Sequence, residues 1–457
     1  MIVATQRGPV SFQADPDGGF SSRKGAGGVV SALAPLLTGN ADARWVAAAS
    51  TPDDRAAVRA GAATVDGLDL CLLDLDEDDQ RLHLDVVCNA TLWFLHHGLF
   101  DLVRRPRFDA RFRDAWAAYV AVNGQFADAI ATEASRRDAV LINDYHLALV
   151  PAMLRERRPD LRVLHFTHTP FCGPSSIRVL PDEVAETICG ALAGGPAGFH
   201  TARWARAFTA SATEVLGSAP AHAPVVAPLG PDAGALEAAR AMPEVAAARA
   251  ALAALVGDRT VIARSDRIEP SKNLVRGFLA FDLLLASRPD LRGRVVFVAM
   301  VYASRQGLAE YLAYGNEVEQ VVDRVNDRWG TPGWQPIVLD QRDDYARTVA
   351  GLERYDVLLV NPLRDGLNLV AKEGPLLNRR DGVVCLSREA GAFDELAPAV
   401  EMVHPFDLDQ TAAALAAAID LDADDDARAP RAAHLRALAG ARTPKRWLDD
   451  LLGQLEG

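Results

Sequence analysis

Short apolar runs alternate with longer stretches of helical periodicity along this chain, and that alternation leaves few folds open. Strand candidates in the first half are residues 2–5, 45–48, 139–142, 163–167 and 198–201. In the second half they are residues 260–264, 295–300, 337–339, 357–361, 383–386 and 400–403. Apolar runs separated by helices are the mark of βαβ units and parallel sheets. A chain of 457 residues is too long for one ordinary core, so the expectation is α/β with two Rossmann-like domains. The Pro- and Gly-dense stretch 217–231 lies between the halves and reads as the crossing, with 225–227 as a further strand. The predicted domains are 1–225 and 226–440. A last helix over 440–457, opened by Thr443 and Pro444, can pack back on either domain.

With 49% hydrophobic and 24% charged residues, the composition is that of a globular protein. The formal net charge of -13 argues against nucleic-acid and membrane-surface partners. No stretch approaches a membrane span, and the N-terminus reads as a strand rather than a signal peptide. Cys71, Cys88, Cys172, Cys189 and Cys385 form no CxxC pair, which suggests reduced thiols in a cytoplasmic protein. The acidic run 422–426 reads as a solvated loop, and no Cys/His set has metal-ligand spacing, so neither metal nor cofactor is expected. No heptad or repeat fixes an oligomeric state, which leaves a homo-oligomer open.

Four strand-end segments carry the chemistry. Arg264-Ser-Asp-Arg-Ile-Glu-Pro-Ser-Lys-Asn273 places Arg267 and Lys272 in a loop after an apolar strand. Such a pair is ordinarily a solvated loop. At the carboxyl end of a parallel strand, on an acidic protein, it reads as a diphosphate receptor. In Asn361-Pro-Leu-Arg-Asp-Gly-Leu-Asn-Leu-Val-Ala-Lys-Glu373, Asp365 sits in a turn, free to accept from hydroxyls. The helix that follows presents its first amides to an anion, with Glu373 about two turns along. Asp144 and His168 end neighbouring strands, as residues of a cleft wall do. Gln6-Arg7-Gly8 and Lys24-Gly-Ala-Gly-Gly-Val-Val-Ser31 offer glycines that open a helix, without Walker A or dinucleotide spacing.

Taken together, these segments resemble the trehalose-6-phosphate synthase family, retaining glycosyltransferase family 20. The long matches are Leu363-Arg-Asp-Gly-Leu-Asn-Leu-Val-Ala-Lys-Glu373, Asp266-Arg-Ile-Glu-Pro-Ser-Lys272, and Asn89-Ala-Thr-Leu-Trp93 with His97. The resemblance implies a GT-B fold, two Rossmann-like domains facing across a central cleft. It also implies transfer of glucose from a nucleotide-linked donor to glucose 6-phosphate, without cofactor or metal.

On the donor side the resemblance assigns the diphosphate to Arg267 and Lys272 and the donor sugar to Asp365. It assigns the amides of Gly366, Asn368 and Leu369 to sugar and phosphate, Glu373 to the ribose, and Gly27 and Gly28 to a covering loop. It sets His168 near the donor sugar, Asp144 at an acceptor hydroxyl, and Arg7, Trp93 and Arg305 in the acceptor site, with the two arginines on its phosphate. Departures fall on the acceptor side. Leu84 stands where the family has a tyrosine, and Cys172 ends the motif His168-Thr-Pro-Phe-Cys172. The base-contacting segment 339–344 is not close to the common UDP form.

These features resemble an actinobacterial branch with GDP-linked donors, and so favour GDP-glucose over UDP-glucose. That branch includes a pseudo-glycosyltransferase of the validoxylamine-phosphate synthase kind, which couples a GDP-cyclitol to an aminocyclitol phosphate. This is one alternative. A catalytically silent sugar-phosphate sensor is another, although the charged donor-side residues are all present.

Overall fold

The computed structural model of the chain describes residues 1–456 except 17–18, 26–27, 41, 62–63, 66 and 422–424. It divides into two compact units, Met1–Pro228 with Pro444–Gly457, and Leu229–Thr443. Gly27 and most of the acidic run 422–426 lie outside the described residues.

The strands of the first unit are β1 (Ile2–Arg7), β2 (Val10–Ala14), β3 (Phe20–Lys24), β4 (Arg44–Ala48), β5 (Thr64–Val65), β6 (Leu68–Leu73), β7 (Ala139–Asn143), β8 (Arg162–Thr167), β9 (Ala197–Phe199) and β10 (Val225–Val226). Eight of them form one sheet in the order β10-β9-β8-β7-β1-β4-β6-β5, parallel except where β5 meets β6. Every residue of β7 is buried, as expected for a parallel strand covered on both faces. Ile2, Val46, Val140 and Ile142 pack there against Val122, Phe126 and Ile130 of the helix Ala110–Glu133. β2 and β3 make a separate antiparallel hairpin. The last helix, Pro444–Gly453, belongs to this unit, where the fully buried Trp447 stands edge-on to Phe166 at 5.1 Å.

The second unit contains β11 (Thr260–Ile268), β12 (Val295–Ala303), β13 (Ile337–Asp340), β14 (Val357–Val360), β15 (Val383–Ser387) and β16 (Glu401–Val403). They form one parallel sheet in the order β13-β12-β11-β14-β15-β16. Phe278, Phe281, Phe297, Leu359 and Leu415 anchor its core. β11 and β12 pair along their whole length, Thr260 with Val295 through Ile268 with Ala303. Arg267 is therefore a strand residue and not a loop residue: the long partner strand extends β11 four residues past the apolar run. Among the described residues no helix is long and apolar enough to cross a membrane.

Candidate functional site

In the second unit, four adjacent strands deliver their carboxyl ends to one region. β12 leads into Ser304 and Arg305, β11 into Arg267 to Lys272, β14 into Asn361 to Asp365, and β15 into Glu389 to Gly391. A one-turn 3₁₀ helix, Pro270–Lys272, follows β11 and stops at Asn273, whose φ of 59° ends the turn. The Asn273 side-chain amide donates to Asn361 O at 3.0 Å and to Pro405 O at 2.7 Å, and so pins the turn.

Lys272 Nζ meets Asp365 Oδ2 at 2.6 Å. Asp365 Oδ2 also accepts from Asn368 Nδ2 at 3.2 Å, and Oδ1 from Leu367 N at 3.3 Å. The expectation of an Asp365 free in its turn is thus corrected: its carboxylate is organised by a cation and two local donors, because Asn368, at φ 76°, folds the loop back on it. Burial would lower the Lys272 ammonium, but the carboxylates of Asp365, Asp266 and Glu269 outweigh this and raise it.

Arg267 is exposed between buried neighbours on β11 and pairs with the buried Glu269 at 3.0 Å. Glu269 raises the Arg267 guanidinium against the opposing effects of burial and Arg305. Arg264, fully buried, donates to Asp266 Oδ2 at 2.8 Å and to the carbonyl of Lys272 at 2.9 Å. Four cations here face three carboxylates, which leaves one net positive charge.

The helix after this loop begins only at Val370, so Glu373 lies in its first turn and not two turns along. The backbone of Asn361 to Leu369 is spent on the Asp365 loop, which shortens the helix. Burial pushes the Glu373 carboxyl up to about 7. Gly366, Asn368 and Leu369 line the chain between Asp365 and this helix.

In the first unit Asp144, His168 and His200 follow the ends of the adjacent strands β7, β8 and β9. Asp144 has φ 68° and ψ 168°, a costly backbone for a residue with a side chain. Its Oδ1 accepts from His168 N at 3.2 Å and Thr169 N at 3.4 Å. The Asn143 amide donates through Nδ2 to Ala4 O at 3.1 Å, so its Oδ1 faces His168 Nε2 at 3.0 Å. His168 Nε2–H therefore donates to Asn143, and Nδ1 accepts from His200 Nε2 at 3.1 Å. Burial, then His200 and His165, holds this imidazole well below its usual range, so it is neutral with both nitrogens engaged.

Arg7 ends β1, beside β7, and its side chain is exposed. Trp93 is only 2% exposed and stacks on His97 at 4.3 Å. It follows an eleven-residue π-helix, Leu82–Leu92, a rare form that recurs at functional sites. Cys172 is buried in the core, where its amide donates to His96 Nδ1 at 3.3 Å. Gly28 opens the helix Gly28–Leu37. Arg305 stands apart from these residues in sequence and belongs to the second unit, at φ 46°.

Glu269 and His200 are polar residues of these sites that the sequence reading passed over. Glu269 was visible as the acid between Arg267 and Lys272. His200 carried no motif.

Two doubly wound units whose polar residues gather at the carboxyl ends of the strands are the architecture of nucleotide-binding α/β proteins, among them the GT-B glycosyltransferases. A family model described as Glycosyltransferase family 20 matches residues 1–457, and the chain belongs to that family. It is 32% identical to a trehalose-6-phosphate synthase of Mycobacterium avium, over 99% of this chain and 94% of that one. It is also 32% identical to a bifunctional trehalose-6-phosphate synthase/phosphatase of Thermoproteus tenax, over 100% of this chain but only 63% of that protein's length.

Two solved structures extend the likeness. An E. coli structure bound with UDP-2-fluoro glucose superposes with TM-score 0.84 at 27% identity, covering 99% of this chain and 98% of that one. An α,α-trehalose-phosphate synthase (UDP-forming) from Burkholderia xenovorans in complex with glucose-6-phosphate gives TM-score 0.84 at 25% identity, covering 100% of this chain and 99% of that one.

Proposed function

We propose that this protein moves glucose from a nucleoside-diphosphate glucose to glucose 6-phosphate with retention, giving α,α-trehalose 6-phosphate and the nucleoside diphosphate. The Lys272–Asp365 pair, beside the exposed Arg267, carries this reading. It joins a diphosphate cation to a hydroxyl acceptor in one preorganised unit, as leaving-group departure from a sugar requires. Arg267 and Lys272 hold the diphosphate, Asp365 the donor sugar, and the amides of Gly366, Asn368 and Leu369 sugar and phosphate. Glu373 takes the ribose hydroxyls, and Gly27 and Gly28 cover the donor. Arg7 and Arg305 hold the acceptor phosphate, Trp93 belongs to the acceptor site, and Asp144 takes an acceptor hydroxyl. Both ring nitrogens of His168 are committed, so it shapes the donor side and moves no proton.

The acceptor oxygen bonds to the anomeric carbon on the face from which the diphosphate departs. The anomeric C–O bond breaks within a short-lived oxocarbenium-like pair, and the departing phosphate oxygen takes the acceptor proton. A covalent adduct on Asp365 is disfavoured because the ion pair with Lys272 and two further donors lower the nucleophilicity of its carboxylate, while leaving it room to accept from a hydroxyl. Trapping a glucosyl-Asp365 adduct by mass spectrometry would reverse this preference. No metal has a part in these steps.

GDP-glucose is the proposed donor. Its support is the resemblance alone: the 339–344 segment is not close to the common UDP form. The UDP sugar in the E. coli structure pulls the other way. A donor competition assay tests it, and faster turnover of UDP-glucose would reject it. Leu84, in place of a hydroxyl, supports the cyclitol-phosphate alternative, which an acceptor panel separates from glucose 6-phosphate.

A further inference from the structure

From the shared carboxylate of Glu269, we infer that this residue is a positioning residue that sets the donor-phosphate and acceptor-phosphate arginines together. Glu269 is 1% exposed, and its Oε1 lies within hydrogen-bond distance of two donors and within ion-pair range of a third group. Arg267 Nη1 lies at 3.0 Å, Ser304 Oγ at 3.1 Å and Arg305 Nη1 at 3.8 Å. Two guanidinium groups this close repel each other, and a carboxylate buried between them makes the arrangement tenable. Arg305 needs the help more. It sits at φ 46°, in the left-handed region that costs a side-chain-bearing residue energy, and leans on the Tyr311 hydroxyl and ring. The backbone fixes the carboxylate in turn: Glu269 N donates to Arg267 O at 2.8 Å, and Lys272 N to Glu269 O at 3.0 Å. The acid thus lies between the end of β11, which carries Arg267, and the turn that carries Lys272, and reaches across to the segment after β12 that carries the acceptor cation.

The inference rests on the reading of Arg267 as the donor residue and Arg305 as the acceptor residue. The arrangement needs both the charge of this carboxylate and its reach, and two substitutions separate them. Glu269→Gln keeps an oxygen at the Oε1 position but removes the charge that offsets the two guanidinium groups. Glu269→Asp keeps the charge but withdraws it by one methylene, and Arg305, already the most distant donor, loses it first.

The test is steady-state kinetics of the full-length protein with each substrate varied, checked by thermal melts for folding. Glu269→Asp is expected to raise the KM for glucose 6-phosphate about tenfold, as for a lost hydrogen bond to a charged group, and the donor KM less. Glu269→Gln is expected to raise both KM values, because both guanidinium groups lose their counter-charge. Wild-type KM values for both substrates in Glu269→Gln, or no change in either KM for Glu269→Asp, would overturn the inference while leaving the functional reading intact. Wild-type protein that neither turns over nor binds glucose 6-phosphate would overturn the functional reading, and this inference with it.

Discussion

At the residue scale, the site works with charges set against one another, not with a lone cationic spot. Arg267 lies against Glu269 and Lys272 against Asp365, so a diphosphate bound as proposed would meet donors already aimed by carboxylates. Arg267→Ala is expected to cut turnover about 10²-fold or more, the loss that follows removal of one transition-state donor. A near-normal rate would take Arg267 off the diphosphate. Arg305→Ala is expected to act mainly on the KM for the phosphorylated acceptor, and an unchanged acceptor dependence would remove it from that site.

Glu373 adds a pH dependence. Burial raises its carboxyl from 4.5 to about 7, so between those values the folded protein holds a proton that the unfolded chain has released. The stability tied to this proton is full below about 4.5 and is lost as pH rises through about 7. The melting temperature of the unliganded protein, relative to that of Glu373→Gln, should therefore fall between about pH 5 and 8. A difference that does not vary with pH would show Glu373 ionised throughout. The types of these residues were legible in the sequence because each follows an apolar run. Their partners were not: the Asp365–Lys272 contact joins residues far apart in the chain, and no local pattern encodes it.

At the scale of elements, the central parallel strands were readable because both faces are covered and nearly every position is apolar, Asn143 at the end of β7 being the exception. β7 and β14 are buried at every residue. Where polar residues enter, legibility ends. β11 runs on through Arg264, Ser265, Asp266 and Arg267 only because β12 is there to pair with it. β3, Phe-Ser-Ser-Arg-Lys, and the two-residue β5 carry too little apolar pattern to be seen. The π-helix Leu82–Leu92 has helical composition, and nothing in it announces an extra residue per turn.

The loop of Asp365 is itself an element with a tight constraint. Gly391 N donates to Asp365 O at 3.1 Å, and a Cβ at Gly391 would stand 2.0 Å from Gly366 O. That atom is backbone, so relief requires the Asp365 loop to move. Gly391→Ala is expected to destabilise the protein by about 1–3 kcal/mol, as overpacking does, and to lower turnover with the donor. Denaturant midpoints and donor kinetics at wild-type values would show that the loop yields freely.

At the scale of the whole molecule, the alternation of strands and helices already implied two α/β bodies. The structure divides the chain after Pro228 and again after Thr443, and Trp447 buries the returning helix in the first unit. Membership of glycosyltransferase family 20 covers the full length of the chain. Fold and family leave the substrates to be read from the side chains that end the strands. The charged residues that the resemblance assigns to the donor are all present, whereas Leu84 departs from the family on the proposed acceptor side.

The most direct measurement incubates the protein with GDP-glucose or UDP-glucose and glucose 6-phosphate, then identifies the product by NMR. The account expects α,α-trehalose 6-phosphate with release of the nucleoside diphosphate. Donor hydrolysis alone, transfer only to a cyclitol phosphate, or a product of inverted configuration would contradict it.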